Sequence, residues 1–266
     1  MTRLEILAGS GQLPVSLVNA FPDAMKIAFE GIPTDIDPDD VFKFEHLGTL
    51  FESLHANGIE RLVMAGAMSR PSLDPALFDE GMATIAPRLL ASMAGGDDGL
   101  LREIIQIFEE QGFKVAGAHS LLPDLTADEG QLTSGDLTEA AQADIKRADS
   151  ILGSMSPVDV GQAVVVEGGV CLGIETIQGT DALLGFVATT AKHLRRGSGV
   201  LVKRPKVGQD LRVDMPTIGP ETIKNAKHAG LSVIVISPGS VLLLDREALI
   251  AAAEEAEILL LARRHA

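Results

Sequence analysis

The chain has 266 residues, 37 of them acidic and 22 basic, for a formal net charge of −15; 46% are hydrophobic but only 3% aromatic, with nine Phe, no Trp and no Tyr. The aliphatic content excludes intrinsic disorder, and the acidity excludes a broad face that grips nucleic-acid phosphates. The missing Tyr and Trp remove the usual base-stacking platforms and the interfacial belt of a spanning protein, while the length suits one large domain or two smaller ones.

Leu4-Glu5-Ile6-Leu7-Ala8 reads as a first strand, because the opening residues lack the longer apolar run and cleavage site of a signal peptide. No stretch reaches the roughly 18 apolar residues of a spanning helix. Gly9-Ser10-Gly11 closes the strand, and Leu13, Leu17 and Val18 follow at helical spacing. Lys26 to Phe29 is a second strand and Val41 to Phe44 a third short one. His46 to Asn57 is an amphipathic helix stopped by Gly58, Arg61 to Gly66 a strand, Asp98 to Gly112 a helix and Lys114 to Ala118 a strand. Strand and helix in alternation predict a mostly parallel sheet with helices on its faces.

Ala127 to Asp136 is polar, with little apolar periodicity. Residues 1–130 are therefore expected as an N-terminal Rossmann-like domain, 131–136 as a linker and 137–266 as a distinct C-terminal α/β domain. Leu137 to Gly153 reads as a helix, and Ala163 to Ile174 as a hairpin turning at Glu167-Gly168-Gly169. Val200 to Lys203, Ser232 to Ile236 and Val241 to Leu244 are further strands, and Arg246 to Glu255 is a helix. The single Cys171 excludes an intramolecular disulfide, and its neighbours Val170 and Leu172 mark it as a core thiol. These features together predict a soluble cytoplasmic protein.

Several loops carry candidate chemistry. Gly9-Ser10-Gly11-Gln12-Leu13-Pro14 lies where a helix N-terminus favours an anion, or it is a plain tight turn. Pro14 stands where a dinucleotide fingerprint has its third glycine. Ser69 and Arg70 follow another strand and can hold phosphate or sugar, or can be solvated. Asp97 and Asp98 open a helix with Arg102 one turn on, as N-caps or as ligands of a hard cation. His119 is read as closing the fourth strand. Gln162 precedes the hairpin, and Glu175 to Asp181 is expected as a polar loop whose groups, Thr180 and Asp181 among them, can bind metal or sugar. The run from Val202 to Pro220 is densest, with Lys203, Arg204, Lys206 and Arg212 inside ten residues beside Asp210 and Asp214. Bases for phosphates beside carboxylates for a divalent cation suit metal-assisted phosphoryl chemistry; a solvated charge run is the plainer alternative.

Gly9 to Pro14, Ser69-Arg70-Pro71, Gly96-Asp97-Asp98, Asp159 to Gln162, Gly179-Thr180-Asp181 and Lys203 to Gly219 recur in this order in one family. The sequence resembles, nearly end to end, the LpxI-type UDP-2,3-diacylglucosamine pyrophosphatases of lipid A biosynthesis. The resemblance implies two α/β domains with substrate in the cleft between them. It implies Mg²⁺-dependent hydrolysis to 2,3-diacylglucosamine 1-phosphate (lipid X) and UMP, with water attacking the α-phosphorus. A homodimer touching the inner face of the cytoplasmic membrane, with no nucleic-acid partner, is expected on the same ground. Asp214 would bind metal, with Asp97 as a second ligand, or activate water; Lys203, Lys206 and Arg212 would neutralise phosphate charge. Ser10, Gly11, Gln12, Leu13, Ser69, Arg70, Asp98, His119, Gln162, Thr180, Asp181, Gln209 and Thr217 would contact substrate. A Rossmann-type NAD(P) oxidoreductase and a non-catalytic nucleotide-sugar sensor are the competing readings.

Overall fold

The computed structural model describes residues 3–69, 71–93 and 97–265. The chain divides into two units, one made of Met1–Leu122 with Asp210–Asp214, the other of Pro123–Gln209 with Met215–Ala266.

In the first unit the elements run β1 (Arg3–Ala8), α1 (Gln12–Ala20), β2 (Met25–Phe29), β3 (Asp40–Phe42), α2 (Leu47–Ala56), β4 (Ile59–Ala65), α3 (Glu80–Met93), α4 (Asp97–Glu110), β5 (Lys114–Ala116) and α5 (Ala118–Leu121). The strands form one parallel sheet in the order β3-β2-β1-β4-β5, so the order reverses between β1 and β4. Both faces are covered, which is why β1 is almost continuously apolar. Leu4, Ile6 and Ala8 pack with Leu17, Val63 and Ala65 on one face, and Leu7 packs with Ile27, Leu62, Leu50 and Ile105 on the other. By the two-residue period of a strand, Glu5 points to the same face as Leu7. It is fully buried, neither carboxyl oxygen has a hydrogen-bond partner among the described residues, and burial pushes it up to about 8.

Asp79 ties two helices together, accepting from the backbone amides of Thr49 (2.8 Å), Gly48 (3.2 Å) and Met82 (2.7 Å). Partial desolvation raises its pKa, but these hydrogen bonds outweigh it and hold the carboxyl below its ordinary range. The α3 helix was not expected, since it runs through Pro87; its buried Met82, Ile85, Ala86 and Leu89 supply packing that outweighs the proline penalty.

The second unit contains β6 (Gly130–Gln131), α6 (Glu139–Met155), β7 (Ala163–Glu167), β8 (Val170–Ile174), α7 (Gly179–Ala188), β9 (Gly199–Lys203), β10 (Thr217–Ile218), α8 (Pro220–His228), β11 (Leu231–Ile236), β12 (Leu242–Leu243), α9 (Arg246–Glu255) and β13 (Leu259–Ala262). Its main sheet has the order β6-β13-β11-β9-β7-β8. β9, β11 and β13 are parallel, β7 is antiparallel to β9 and β8 is antiparallel to β7, so β8 points the same way as β9. Ala163, Val165 and Leu201 face a core shared with Leu184 of α7, Ile223 of α8 and Leu249 of α9. Val164, Val166 and Val202 face Ile145, Ala148 and Leu152 of α6. The hairpin turn is anchored by the buried Asp144, which accepts from the amides of Gly168 (2.8 Å) and Gly169 (2.7 Å).

Three expectations need correction. Residues 131–136 do not separate the units: the division falls at 122/123. β6 pairs with β13, and the Thr133 hydroxyl donates to the carbonyl of Ile258 (2.9 Å), so the polar stretch belongs to the second unit's edge. The strand expected at Val241 to Leu244 is present but shorter, Leu242–Leu243 alone, and it pairs with β10. Cys171 is half-buried rather than fully in the core, with burial pushing its thiol up. Among the described residues no helix is long and apolar enough to cross a membrane.

Candidate active site

In the first unit the expected phosphate turn follows β1 and is stitched to the loop after β4. Ser10 N–H donates to the Ala67 carbonyl (3.0 Å), Ala67 N–H returns the bond to Ser10 (2.9 Å), and the Ser10 hydroxyl also reaches Ala67 O (3.3 Å). Gly66 has φ +91°, and a Cβ there would lie 2.6 Å from Ser10 O, so only glycine permits this approach. The Gly11 amide at the head of α1 already donates to the Asp35 carboxylate at 2.7 Å. Gln12 is exposed and Leu13 half-buried against the core beside β1. Ser69 is exposed, while Arg70 and the side chain of Asp97 lie outside the described residues.

His119 does not end a strand. It sits in α5, after β5, its Nδ1 is buried without a hydrogen-bond partner among the described residues, and desolvation lowers its pKa. A Cβ on Gly117 would meet both the His119 ring and the Arg212 backbone, so the 210–214 segment lies beside this turn. Arg212 donates to Asp210 (2.7 Å) and Glu109 (2.6 Å). These bonds raise the guanidinium's pKa, and the Arg212 hydrogen bond is the main reason that of Asp210 is lowered. Arg102 pairs with Asp98 one turn away and also acts on Asp210. Asp214 closes the segment, its amide donating to the Asp210 carbonyl at 3.2 Å.

In the second unit the expected polar loop is in part a helix: Gly179 opens α7, which places Thr180 and Asp181 in its first turn. Thr180 reaches the sheet and Asp181 accepts from Asn225 of α8 (3.0 Å). The β9 register explains the rest. Lys203 pairs with Ala163, whose carbonyl accepts from the Glu175 amide (2.8 Å), so the ends of β8 and β9 flank the start of β7. Lys203 therefore turns to the α7 face. Its ammonium donates to the Thr180 hydroxyl and lies 3.6 Å from Glu175, while the Thr180 hydroxyl donates to Glu175 at 2.6 Å. The other Glu175 oxygen accepts from the Gln162 amide (3.1 Å). Gly161 has φ +63°, and a Cβ there would overlap the Glu175 carbonyl. All three side chains are buried, with Lys203 6%, Glu175 7% and Thr180 9% exposed.

Arg204, the next residue, turns to the opposite face against Asp149 (3.6 Å). Lys206 pairs with Asp159, and the Lys206 amide donates to the Gln209 side chain (2.8 Å). Thr217 begins β10 and bonds the Met215 carbonyl (3.1 Å). The structure thus joins Lys203, Thr180 and Gln162 around Glu175, a residue the sequence offered only as part of a loop. Among the described residues no three His, Cys, Asp or Glu side chains gather as a metal site. A cavity of about 450 Å³ lies past β11 and β13, lined by Ser237, Ser240, Arg264 and His265 among others, and no expected site residue lines it.

The N-terminal domain model of the LpxI family matches residues 3–125, and its C-terminal domain model matches residues 128–261. The chain belongs to the LpxI family. A curated LpxI relative from Caulobacter vibrioides, named UDP-2,3-diacylglucosamine pyrophosphatase, is 36% identical, with 96% of this chain and 95% of that protein covered. The LpxI domain boundary near residue 126 agrees with the first crossing between the two units, whereas the return of 210–214 to the first unit is a feature of the fold alone.

Proposed function

We propose that the protein hydrolyses UDP-2,3-diacylglucosamine to UMP and 2,3-diacylglucosamine 1-phosphate, a step of lipid A synthesis. The observation that carries the reading is the buried Lys203–Thr180–Glu175 cluster at the carboxyl edge of the second sheet, in a chain similar from end to end to a pyrophosphatase of that name. Ligands of open α/β sheets sit outside that edge. A groove of about 270 Å³ runs along the start of α7, lined by Ile174, Ala182, Leu183 and Phe186 together with Thr176, Gln178 and Gly179, and its apolar wall suits an acyl chain.

A pyrophosphate diester carries two negative charges, and attack at phosphorus adds more. The Lys203 ammonium is held at a fixed point where it can meet that charge without reorganising. Asp214 supplies a carboxylate that can orient the attacking water and take its proton. The bond from the α-phosphorus to the bridging oxygen breaks, so the new oxygen enters UMP and the bridging oxygen leaves with the sugar phosphate. A divalent cation would be held by Asp214 together with substrate phosphate oxygens, a mode usual for Mg²⁺, and would screen the diphosphate charge. The acylated substrate places the work at the inner face of the cytoplasmic membrane, with the protein acting as a homodimer.

Incubation with UDP-2,3-diacylglucosamine and Mg²⁺ in ¹⁸O water is expected to give UMP carrying the label. Label in the sugar phosphate would reverse the assigned point of attack, and absence of UMP would leave a sensor. Asp214→Ala is expected to lose at least about a thousandfold in turnover while remaining folded. Near-normal turnover in that variant would remove Asp214 from the mechanism.

A further inference from the structure

Glu175 has the geometry of a working part of the site rather than of the core around it. It lies just beyond β8, 93% buried, and its carboxylate oxygens face two directions. One accepts from the Thr180 hydroxyl at 2.6 Å and lies 3.6 Å from the Lys203 ammonium, and the other accepts from the Gln162 amide at 3.1 Å. Thr180 in turn accepts from Lys203. A single carboxylate thereby fixes groups from three separate places: the end of β9, the first turn of α7 and the residue that leads into β7. Gly161 is glycine at φ +63° because the Glu175 backbone comes too close for any side chain. A lysine stem has four rotatable bonds, and this carboxylate and hydroxyl are two of the contacts that set the direction of its ammonium.

We propose that Glu175 is a positioning residue for the phosphoryl-transfer step, holding the Lys203 ammonium, directly and through the Thr180 hydroxyl that it orients, against the diphosphate. The inference rests on the hydrolase reading above. An ammonium aimed where charge develops lowers the barrier, and one that wanders by about an ångström loses much of that effect. The cost therefore falls on kcat more than on KM. A carboxylate that only supported the fold would move stability and leave both constants alone. Asp144 is the internal control: it is equally buried, it too accepts from backbone amides, and it anchors the hairpin turn instead of a lysine.

The experiment measures kcat, KM and urea stability of the full-length protein with UDP-2,3-diacylglucosamine and Mg²⁺. Glu175→Gln keeps the shape and an acceptor oxygen but removes the charge. It is expected to lower kcat roughly 10- to 100-fold with KM changed less than about threefold. Asp144→Asn is expected to lower stability with kcat unchanged. In a Lys203→Met background, Glu175→Gln is expected to cost less than about twofold more, because it acts through the lysine. Should Glu175→Gln fail to fold, Thr180→Val removes the bridging hydroxyl, leaves both charged groups in place and is expected to show the same split. Loss of stability with unchanged kcat in Glu175→Gln, or full additivity with Lys203→Met, overturns the inference alone. Wild-type protein that yields no UMP overturns the functional reading and the inference with it.

Discussion

Glu5 and Glu175 are two glutamates withdrawn from water in the two units of one chain, 0% and 7% exposed. Glu175 spends both oxygens on named partners, a hydroxyl, an ammonium and an amide. Glu5 stands inside β1 with neither oxygen bonded among the described residues, and desolvation moves its pKa to about 8, so it holds its proton at neutral pH. Burial by itself therefore says nothing about function. The partners distinguish the two: the second unit's carboxylate is bonded on both oxygens, as the proposed positioning role requires, and the first unit's is a liability of the core.

The strongest way to break this contrast is to remove each carboxylate outright. Glu175→Leu leaves Lys203 buried beside an apolar group, and a buried ion pair broken on one side is expected to cost about 3–5 kcal/mol in urea denaturation. Glu5→Met removes two buried oxygens that have no hydrogen-bond partner among the described residues, at similar volume, and is expected to add about 1–3 kcal/mol at neutral pH. If Glu5→Met were the destabilising change and Glu175→Leu harmless, the contrast would be wrong.

The pH dependence of Glu5 sharpens the same point. Its folded pKa of about 8 exceeds the ordinary 4.5, so between those values the unfolded chain binds fewer protons than the native one. Stability must then fall as pH rises through that window and level off above it. Wild type minus Glu5→Met is expected to show this slope, and a flat difference would mean that Glu5 is solvated. Asp79 supplies the smallest effect. Its bonds to backbone amides hold its pKa low, so its stabilising effect is complete above the ordinary aspartate range and lost as pH falls through the lowered value. Asp79→Asn is expected to cost about 1 kcal/mol at pH 7, a figure kept low because the group is partly exposed, and progressively less as pH falls below the ordinary aspartate range.

Much of the fold was legible because it is written locally. The β7 and β8 hairpin follows from Val164-Val165-Val166 and the paired glycines, and the first sheet from apolar runs that alternate with helical spacing. α7 was hidden because it begins Gly-Thr-Asp, residues that also make loops, and its apolar stripe starts only at Leu183. The expected basic cluster proved to be several separate ion pairs, Lys203 with Glu175, Lys206 with Asp159 and Arg212 with Glu109 and Asp210. Their partners lie 28, 47 and 103 positions away for Glu175, Asp159 and Glu109, and no local pattern announces such distances. Glu175 was legible only as the head of a polar loop for the same reason: its partners come together only when the β7–β9 register brings three strand ends together.

Residues 210–214 belong to the first unit, where Val213 packs on the core and Arg212 holds Glu109. A gene cut near the family's own domain boundary would thus deliver an N-terminal product without the segment whose Val213 packs on its core, and a C-terminal product carrying that segment inside it without its packing partners. Exchange of whole domains at that boundary would therefore find no clean joint in this fold.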